Sequence, residues 1–254
     1  MTLSDPTCLP DARVSHISGW TLHEYAEVDS TNYVARWLPA WHAARADTQT
    51  AGRGRFQRTW VSDAGGLWLS AVVPVIENQE SFQVLPLVAG LAVIEALKNI
   101  GIVDLRLRWP NDIMAGERKL AGLLLDTFDP QLAVVGLGIN VSNQPASRDA
   151  ALQSTATRLA DLVQQPPTLY ALTTAILNNL RAKIQLLGDG GFAALHYAIN
   201  GLWGGAPRVN VELDNDSRQG VFRGVDHRGR LLLEEAMGPV TAFETHEVKL
   251  LREI

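Results

Sequence analysis

Gln49-Thr-Ala-Gly-Arg-Gly-Arg-Phe-Gln-Arg-Thr-Trp60 is the stretch on which the reading of this chain turns. Glycines at 52 and 54 let the backbone approach a ligand closely, while Arg53, Arg55 and Arg58 gather positive charge on the same loop. Such a loop suits a bound phosphate or carboxylate. Gly-Arg runs also occur in segments that bind nucleic acids, so the loop alone leaves both readings open. Further segments accompany it: Arg108-Trp-Pro-Asn-Asp112, Lys119-Leu-Ala-Gly122 and Gly136-Leu-Gly-Ile-Asn140.

Around that loop the chain is ordinary in composition. Its 254 residues suffice for one large domain and a small one, and 46% hydrophobic against 19% charged residues is a globular balance. With 22 Lys+Arg against 27 Asp+Glu the net charge is -5, which argues against a general nucleic-acid binder. The single cysteine, Cys8, allows no intrachain disulfide and fits a reducing compartment. Met1 to Arg13 lacks the basic and apolar regions of a secretory signal. The apolar stretch Val84 to Ile94 contains Pro86 and falls short of the ~20 residues a bilayer requires. A soluble, cytoplasmic protein with no membrane partner is expected.

Working outward, residues 1–18 read as a loose leader. Trp20 to Glu27 reads as a strand, and Asp29-Ser-Thr-Asn32 offers N-caps for a helix from Tyr33 to His42. Leu67 to Val73 reads as a buried strand. A helix is expected from Pro86 to Ile100, ending at Gly101, then a strand from Asp104 to Trp109. A turn at Ala115-Gly116-Glu117 leads into a strand from Lys119 to Leu125, and Leu132 to Val141 forms another. Helices follow at 155–164, 168–187 and 191–199. After Leu202-Trp-Gly-Gly-Ala-Pro207 the period switches to two, with strands from Arg208, Gly220, Arg230 and Val240. The expected fold is α+β, a mixed β-sheet with helices over 19–204 and a small, partly open barrel over 205–254.

Lys119 alternates onto the face of Ala121 and Leu123, inside an apolar and therefore buried strand, and Gly122 permits close approach to a ligand. Asn111, Asp112 and Asn140 stand at strand ends, where ligand groups and plain turn residues are equally at home. Trp60 and Trp109 are the tryptophans placed to stack on a planar ligand. Gly136-Leu-Gly lacks the third glycine of a dinucleotide fingerprint. No Walker loop, serine elbow or metal-ligand spacing among the six histidines is present.

Taken in order, Asp29-Ser-Thr-Asn32, the Gly-Arg loop, Gly65-Gly-Leu-Trp-Leu-Ser70, Arg108-Trp-Pro-Asn-Asp112, Lys119-Leu-Ala-Gly122 and Gly136-Leu-Gly-Ile-Asn-Val141 resemble the biotin–protein ligase family. That family belongs with the lipoate–protein ligases and class II aminoacyl-tRNA synthetases. The resemblance implies a catalytic domain followed by an SH3-like domain. It implies that Ser30, Thr31, Asn32, Gln49 and Gly122 hold biotin, with Arg53, Gly54, Arg55 and Lys119 around its carboxylate and the α-phosphate. Arg53, Arg55, Trp60, Asn111, Lys119 and Asn140 would meet ATP, and Asp112 would help with Mg²⁺. Lys119 and Arg55 would be the catalytic cations in forming biotinyl-5′-AMP, before transfer to a lysine of a biotin carboxyl carrier protein of acetyl-CoA carboxylase or a related carboxylase.

Two departures from the family pattern are Gln57, where glycine is frequent, and Arg108, where lysine is frequent. Glu247 fits the pattern, whereas the arginine after it falls one place late at Arg252. The short segment before the first strand implies a monofunctional ligase without a DNA-binding domain. Competing readings are a lipoate ligase, a nucleic-acid module using the arginine loop, and a silent relative. A sheet edge offered to a second subunit, giving a homodimer, or to the carrier is a further expectation.

Overall fold

Three alanines in a row of small and polar residues shape the first half of the fold. The computed structural model describes residues 9–75, 79–145, 149, 151–236 and 238–254. In chain order come β1 (Arg13–Ile17), β2 (Trp20–Val28), α1 (Thr31–Ala35), β3 (His42–Gln49) and β4 (Leu67–Pro74). Ala43, Ala44 and Ala46 of β3 are fully buried, and the absence of larger side chains lets Val34 and Ala35 of α1 pack on Ala44, Ala46, Val72 and Val134. α1 thus covers a crossover between β2 and β3, which pair in parallel.

α2 (Gln79–Asn99) leads to β5 (Leu105–Arg108), β6 (Asp112–Ala115), β7 (Arg118–Asp129) and β8 (Leu132–Ile139), completing an eight-stranded sheet in the order β1-β2-β3-β4-β8-β7-β6-β5. Then come α3 (Leu152–Thr155), α4 (Leu159–Leu162), α5 (Leu169–Gly190) and α6 (Ala193–Asn200). β9 (Arg208–Glu212), β10 (Ser217–Val225), β11 (Leu231–Glu234), β12 (Val240–Phe243) and β13 (Leu250–Glu253) form a second, antiparallel sheet in the order β12-β11-β10-β9-β13. Its strands and period are those expected of an SH3-like unit, though the sheet is not a closed barrel.

Among the described residues α2 is the one helix long and apolar enough to cross a membrane, and it lies in the core, packed on α5 and the sheet. The buried cluster runs without a break from Trp20 through α2 and α5 to Val209, Leu231 and Leu251 of the second sheet. Trp109 Nε1 donates to Gly229 O, in the turn between β10 and β11, at 3.1 Å, and Leu107 N to Leu202 O, in the segment leading to β9, at 2.9 Å.

Several expectations are corrected. The part of the leader from Arg13 to Ile17 pairs antiparallel with β2, while residues 1–8, with Cys8, lie outside the described residues. The helix expected to His42 stops at Ala35, because Pro39 offers no backbone donor and Trp41, at φ 65, turns the chain into β3. α2 begins before Pro86 rather than at it, and the burial of Val84, Leu85, Leu87 and Val88 offsets the lost helical bond. The helix expected over 155–164 is two single turns, separated where Thr157 N donates to Lys119 O at 2.9 Å.

Candidate active site

Glycines of β7 and β8 form the floor of a cavity of about 280 Å³. A Cβ on Gly138 would stand 2.5 Å from Trp60 Nε1, and one on Gly136 only 2.0 Å from Asn32 Oδ1. Gly136 and Gly138 therefore make room for side chains rather than for a dinucleotide. Gly122 completes the floor, where a Cβ would lie 3.1 Å from Lys119 Nζ and 3.2 Å from the Trp60 ring. The indole of Trp60 lies over this floor with Lys119 Nζ 5.0 Å from a ring centroid, and its buried Nε1 has no hydrogen-bond partner among the described residues.

One end of the cavity is polar and uncharged. Gln49 Oε1 accepts from Thr31 N at 2.8 Å, and Gln49 Nε2 donates to Ser62 Oγ at 2.8 Å, so the Gln49 amide orientation is set. Ser70 Oγ lies 2.7 Å from Thr31 Oγ1 and 2.6 Å from Asn32 Oδ1, and Asn32 Nδ2 donates to Asp126 Oδ2 at 2.8 Å. Ser30, at the α1 N-cap, makes no side-chain capping bond and lines the cavity. A buried polar patch with its partners fixed this way recognises a ligand that offers both donors and acceptors.

The other end is cationic. Asp112 Oδ1 lies 2.6 Å from Lys119 Nζ and Asp112 Oδ2 2.8 Å from Arg108 Nη2. Burial pushes the Asp112 carboxyl up, but the charges and hydrogen bonds of Lys119 and Arg108 outweigh it and hold it below the usual carboxylate range. Lys119 reaches this place through a β-bulge. Asp112 pairs with Gly122 and Ile113 with Ala121, whereas Met114 pairs with Lys119, leaving Leu120 as the extra residue. The expectation that Lys119 shares a face with Ala121 and Leu123 is thus corrected: those two enter the core, and Lys119 faces the cavity with Gly122 and Leu124.

Over the cavity the Gly-Arg loop closes on itself, with Trp60 N donating to Gly52 O at 2.9 Å and Gly54 N to Arg58 O at 2.7 Å. Its tip is exposed, and Phe56 and Gln57 take left-handed φ values of 55 and 59. Arg55 turns to the second sheet, where its Nη2 donates to Thr245 O at 2.7 Å and Val248 O at 3.2 Å. Burial lowers the Arg55 pKa, Asp112 opposes that shift and Arg58 adds to it. Among the described residues Arg55 forms no ion pair, so a part-buried cation without a counter-charge stands beside the cavity.

Ser30, Thr31, Asn32, Gln49, Arg53, Gly54, Arg55, Trp60, Asn111, Asp112, Lys119 and Gly122 all line this cavity. Asn140 does not. Its Nδ2 donates to Thr157 O at 3.1 Å and its Oδ1 accepts from Asn143 Nδ2 at 3.0 Å, so it braces the wall from behind. Trp109, expected to offer a stacking face, also lines the cavity, but it is 3% exposed and gives its N–H to Gly229. Both oxygens of Asp112 are engaged by Lys119 and Arg108, and no group of three His, Cys, Asp or Glu able to hold a metal occurs among the described residues, whereas Mg²⁺ brought by a nucleotide needs only one or two carboxylates beside the phosphates. Asp126, Ser62, Ser70 and Lys249 were missed. Ser70 lay within a quoted motif, but the others carried no local signal.

Comparison with known proteins agrees with this arrangement. Residues 33–140 match the Biotin/lipoate A/B protein ligase family and residues 208–248 the Biotin protein ligase C terminal domain. The biotin--[acetyl-CoA-carboxylase] ligase of Mycobacterium tuberculosis is 34% identical over 91% of this chain and 90% of its own length. The bifunctional ligase/repressor BirA of Escherichia coli is 30% identical over 92% of this chain and 76% of its own. The biotin protein ligase from Aquifex aeolicus, solved in complex with biotin and ATP, superimposes with a TM-score of 0.81 at 28% identity, covering 92% of this chain and 99% of that one. With the fold, the ordered motifs and the full-length relatives in agreement, this chain belongs to the biotin protein ligase family.

Proposed function

We propose that the chain activates biotin with ATP in this cavity and transfers it to a lysine of a biotin carboxyl carrier protein. The observation that carries the reading is one cavity with an uncharged polar end beside Ser30, Thr31 and Gln49 and a cationic end at Lys119 and Arg55. The fused ring of biotin, with ureido N–H and C=O groups, suits the first end, and Gly122 lets it approach the strand. Its carboxylate and the α-phosphate of ATP suit the second, with Arg53, Gly54 and Asn111 at the margin.

In the first step a carboxylate oxygen attacks the α-phosphorus, and the bond to the pyrophosphate oxygen breaks. Two anions must meet, and Lys119 and Arg55 stabilise the charge that accumulates. Trp60 supports the nucleotide from the floor through the face of its ring. Asp112 balances the charge of Lys119 and Arg108. In the second step a deprotonated acceptor amine attacks the acyl carbon and AMP departs with the bonding pair. The loop over the cavity keeps water from the mixed anhydride between the two steps.

A mass measurement on an acceptor tests this. A biotin carboxyl carrier domain incubated with the enzyme, ATP and Mg²⁺ gains one biotinyl group with biotin and none with lipoate. A lipoyl gain without a biotinyl one would assign the cavity to the other branch of the superfamily.

A further inference from the structure

β7 is apolar from Leu120 to Leu125 and then presents Asp126, which lines a smaller pocket under the Gly-Arg loop with Arg53, Phe56 and Leu124. The Asp126 carboxylate is 26% exposed, accepts from Asn32 Nδ2 at 2.8 Å and lies 3.8 Å from Arg53 Nη2. Asn32 Nδ2 is also 3.4 Å from Leu124 O, and Asn32 Oδ1 lies 2.6 Å from Ser70 Oγ. An amide presents two different ends, and the carboxylate accepts only from the NH₂ end. Asp126 therefore makes the shorter of the two contacts that turn the NH₂ end of Asn32 away from Ser70.

The same carboxylate holds the loop. Of Arg53, Arg55 and Arg58, only Arg53 forms an ion pair with an acid among the described residues. Arg55 reaches the opposite way, to carbonyls at 245 and 248, and Phe56, Gln57 and Arg58, which follow it, are exposed. Arg53 and Arg55, two residues apart, thus hold the first part of the loop from opposite sides, and the exposed tip after them has no buried apolar side chain. A separation of 3.8 Å is within ion-pair range but too long for a hydrogen bond. The contact fixes the position of Arg53 while leaving its N–H donors available to a ligand.

We propose that Asp126 is a positioning residue that orients the Asn32 amide and tethers the Gly-Arg loop through Arg53 until an anionic ligand takes the guanidinium over. The ligand-binding half of this proposal rests on the cavity's being the biotin and ATP site; the tether does not.

Asp126→Ala removes both contacts, whereas Asp126→Asn keeps an acceptor for Asn32 and removes only the charge. Tryptic cleavage after Arg53, Arg55 and Arg58 in the ligand-free chain reads the tether, and KM against kcat in biotin-dependent pyrophosphate exchange reads the amide. Cleavage accelerates in both variants, and combining Asp126→Asn with Arg53→Gln accelerates cleavage at Arg55 and Arg58 no further than Arg53→Gln alone. KM for biotin rises about tenfold in Asp126→Ala at nearly constant kcat, and less than about threefold in Asp126→Asn. Asp126→Glu returns both readouts toward the parent. Unchanged cleavage in both variants, or a fall in kcat with KM unmoved, would overturn the proposal. A parent chain that fails to exchange with biotin refutes the functional reading instead, since the cleavage comparison needs no ligand.

Discussion

Lys119 Nζ lies 2.6 Å from Asp112 Oδ1, although the two residues are not cross-strand partners. Asp112 stands opposite Gly122 and Lys119 opposite Met114, and the one-residue bulge at Leu120 brings their side chains together. A regular ladder would have sent Lys119 toward the core with Ala121 and Leu123, where an unpaired ammonium is costly. The bulge gives the apolar strand a charged end that faces the cavity, and Gly122 leaves the space into which it folds back.

Asp112→Asn leaves Lys119 and Arg108 without their carboxylate. A loss of about 2 kcal/mol in unfolding free energy is expected at pH 7, at the low end for a broken ion pair because all three side chains retain some exposure. The pH dependence has a definite sign. The folded carboxyl is held below its ordinary value of 3.8, so its contribution is present above that value and is lost as pH falls through the lowered one. Urea unfolding of parent and variant is expected to differ steadily above about pH 5 and to start converging only as pH falls below 3.8.

Gly136→Ala and Gly138→Ala separate the two ends of the cavity. The first drives a methyl into Asn32 and is expected to raise KM for biotin with little effect on KM for ATP. The second displaces Trp60 and is expected to act chiefly on ATP. Each overpacks a tight contact, so a loss of about 1–3 kcal/mol in stability is expected as well. Equal effects of both variants on both substrates in steady-state kinetics would contradict the assignment of the two ends.

Outside the site, His23 Nε2 and His42 Nδ1 share a hydrogen bond of 3.0 Å on the exposed side of β2 and β3. Burial lowers both pKa values from 6.5, helped at His23 by His42 and at His42 by His16. The unfolded chain then binds protons more readily than the folded one, so stability falls as pH drops below 6.5. Unfolding measured at about pH 7.5 and 5.5 is expected to show this slope, reduced in His42→Gln.

The sequence motifs made much of the site legible, because glycines at close approaches and cations beside them are local requirements. Gln49, Arg53, Arg55, Trp60, Asn111, Lys119 and Gly122 all reach one cavity. The period of two after residue 207 likewise gave away the second sheet. What stayed hidden depends on partners distant in the chain. β3, with Ala43, Ala44 and Ala46, has little intrinsic strand preference and is a strand because α1 needs small residues beneath it. The face taken by Lys119 depends on a bulge no alternation pattern reveals. Asn140 looked like a ligand group at a strand end until Thr157 and Asn143 came to meet it. Pro39 is different: its signal was present, and it ended a helix that the caps before it had promised.

The central claim is that this cavity forms an acyl adenylate, with Lys119 supplying charge to the reacting groups. Exchange of labelled pyrophosphate into ATP, in the parent chain and in Lys119→Ala, tests it most directly. Exchange that requires biotin and falls by about 10²–10³-fold in the variant is the predicted result. Exchange without biotin, or exchange unaffected by Lys119→Ala, would contradict the account.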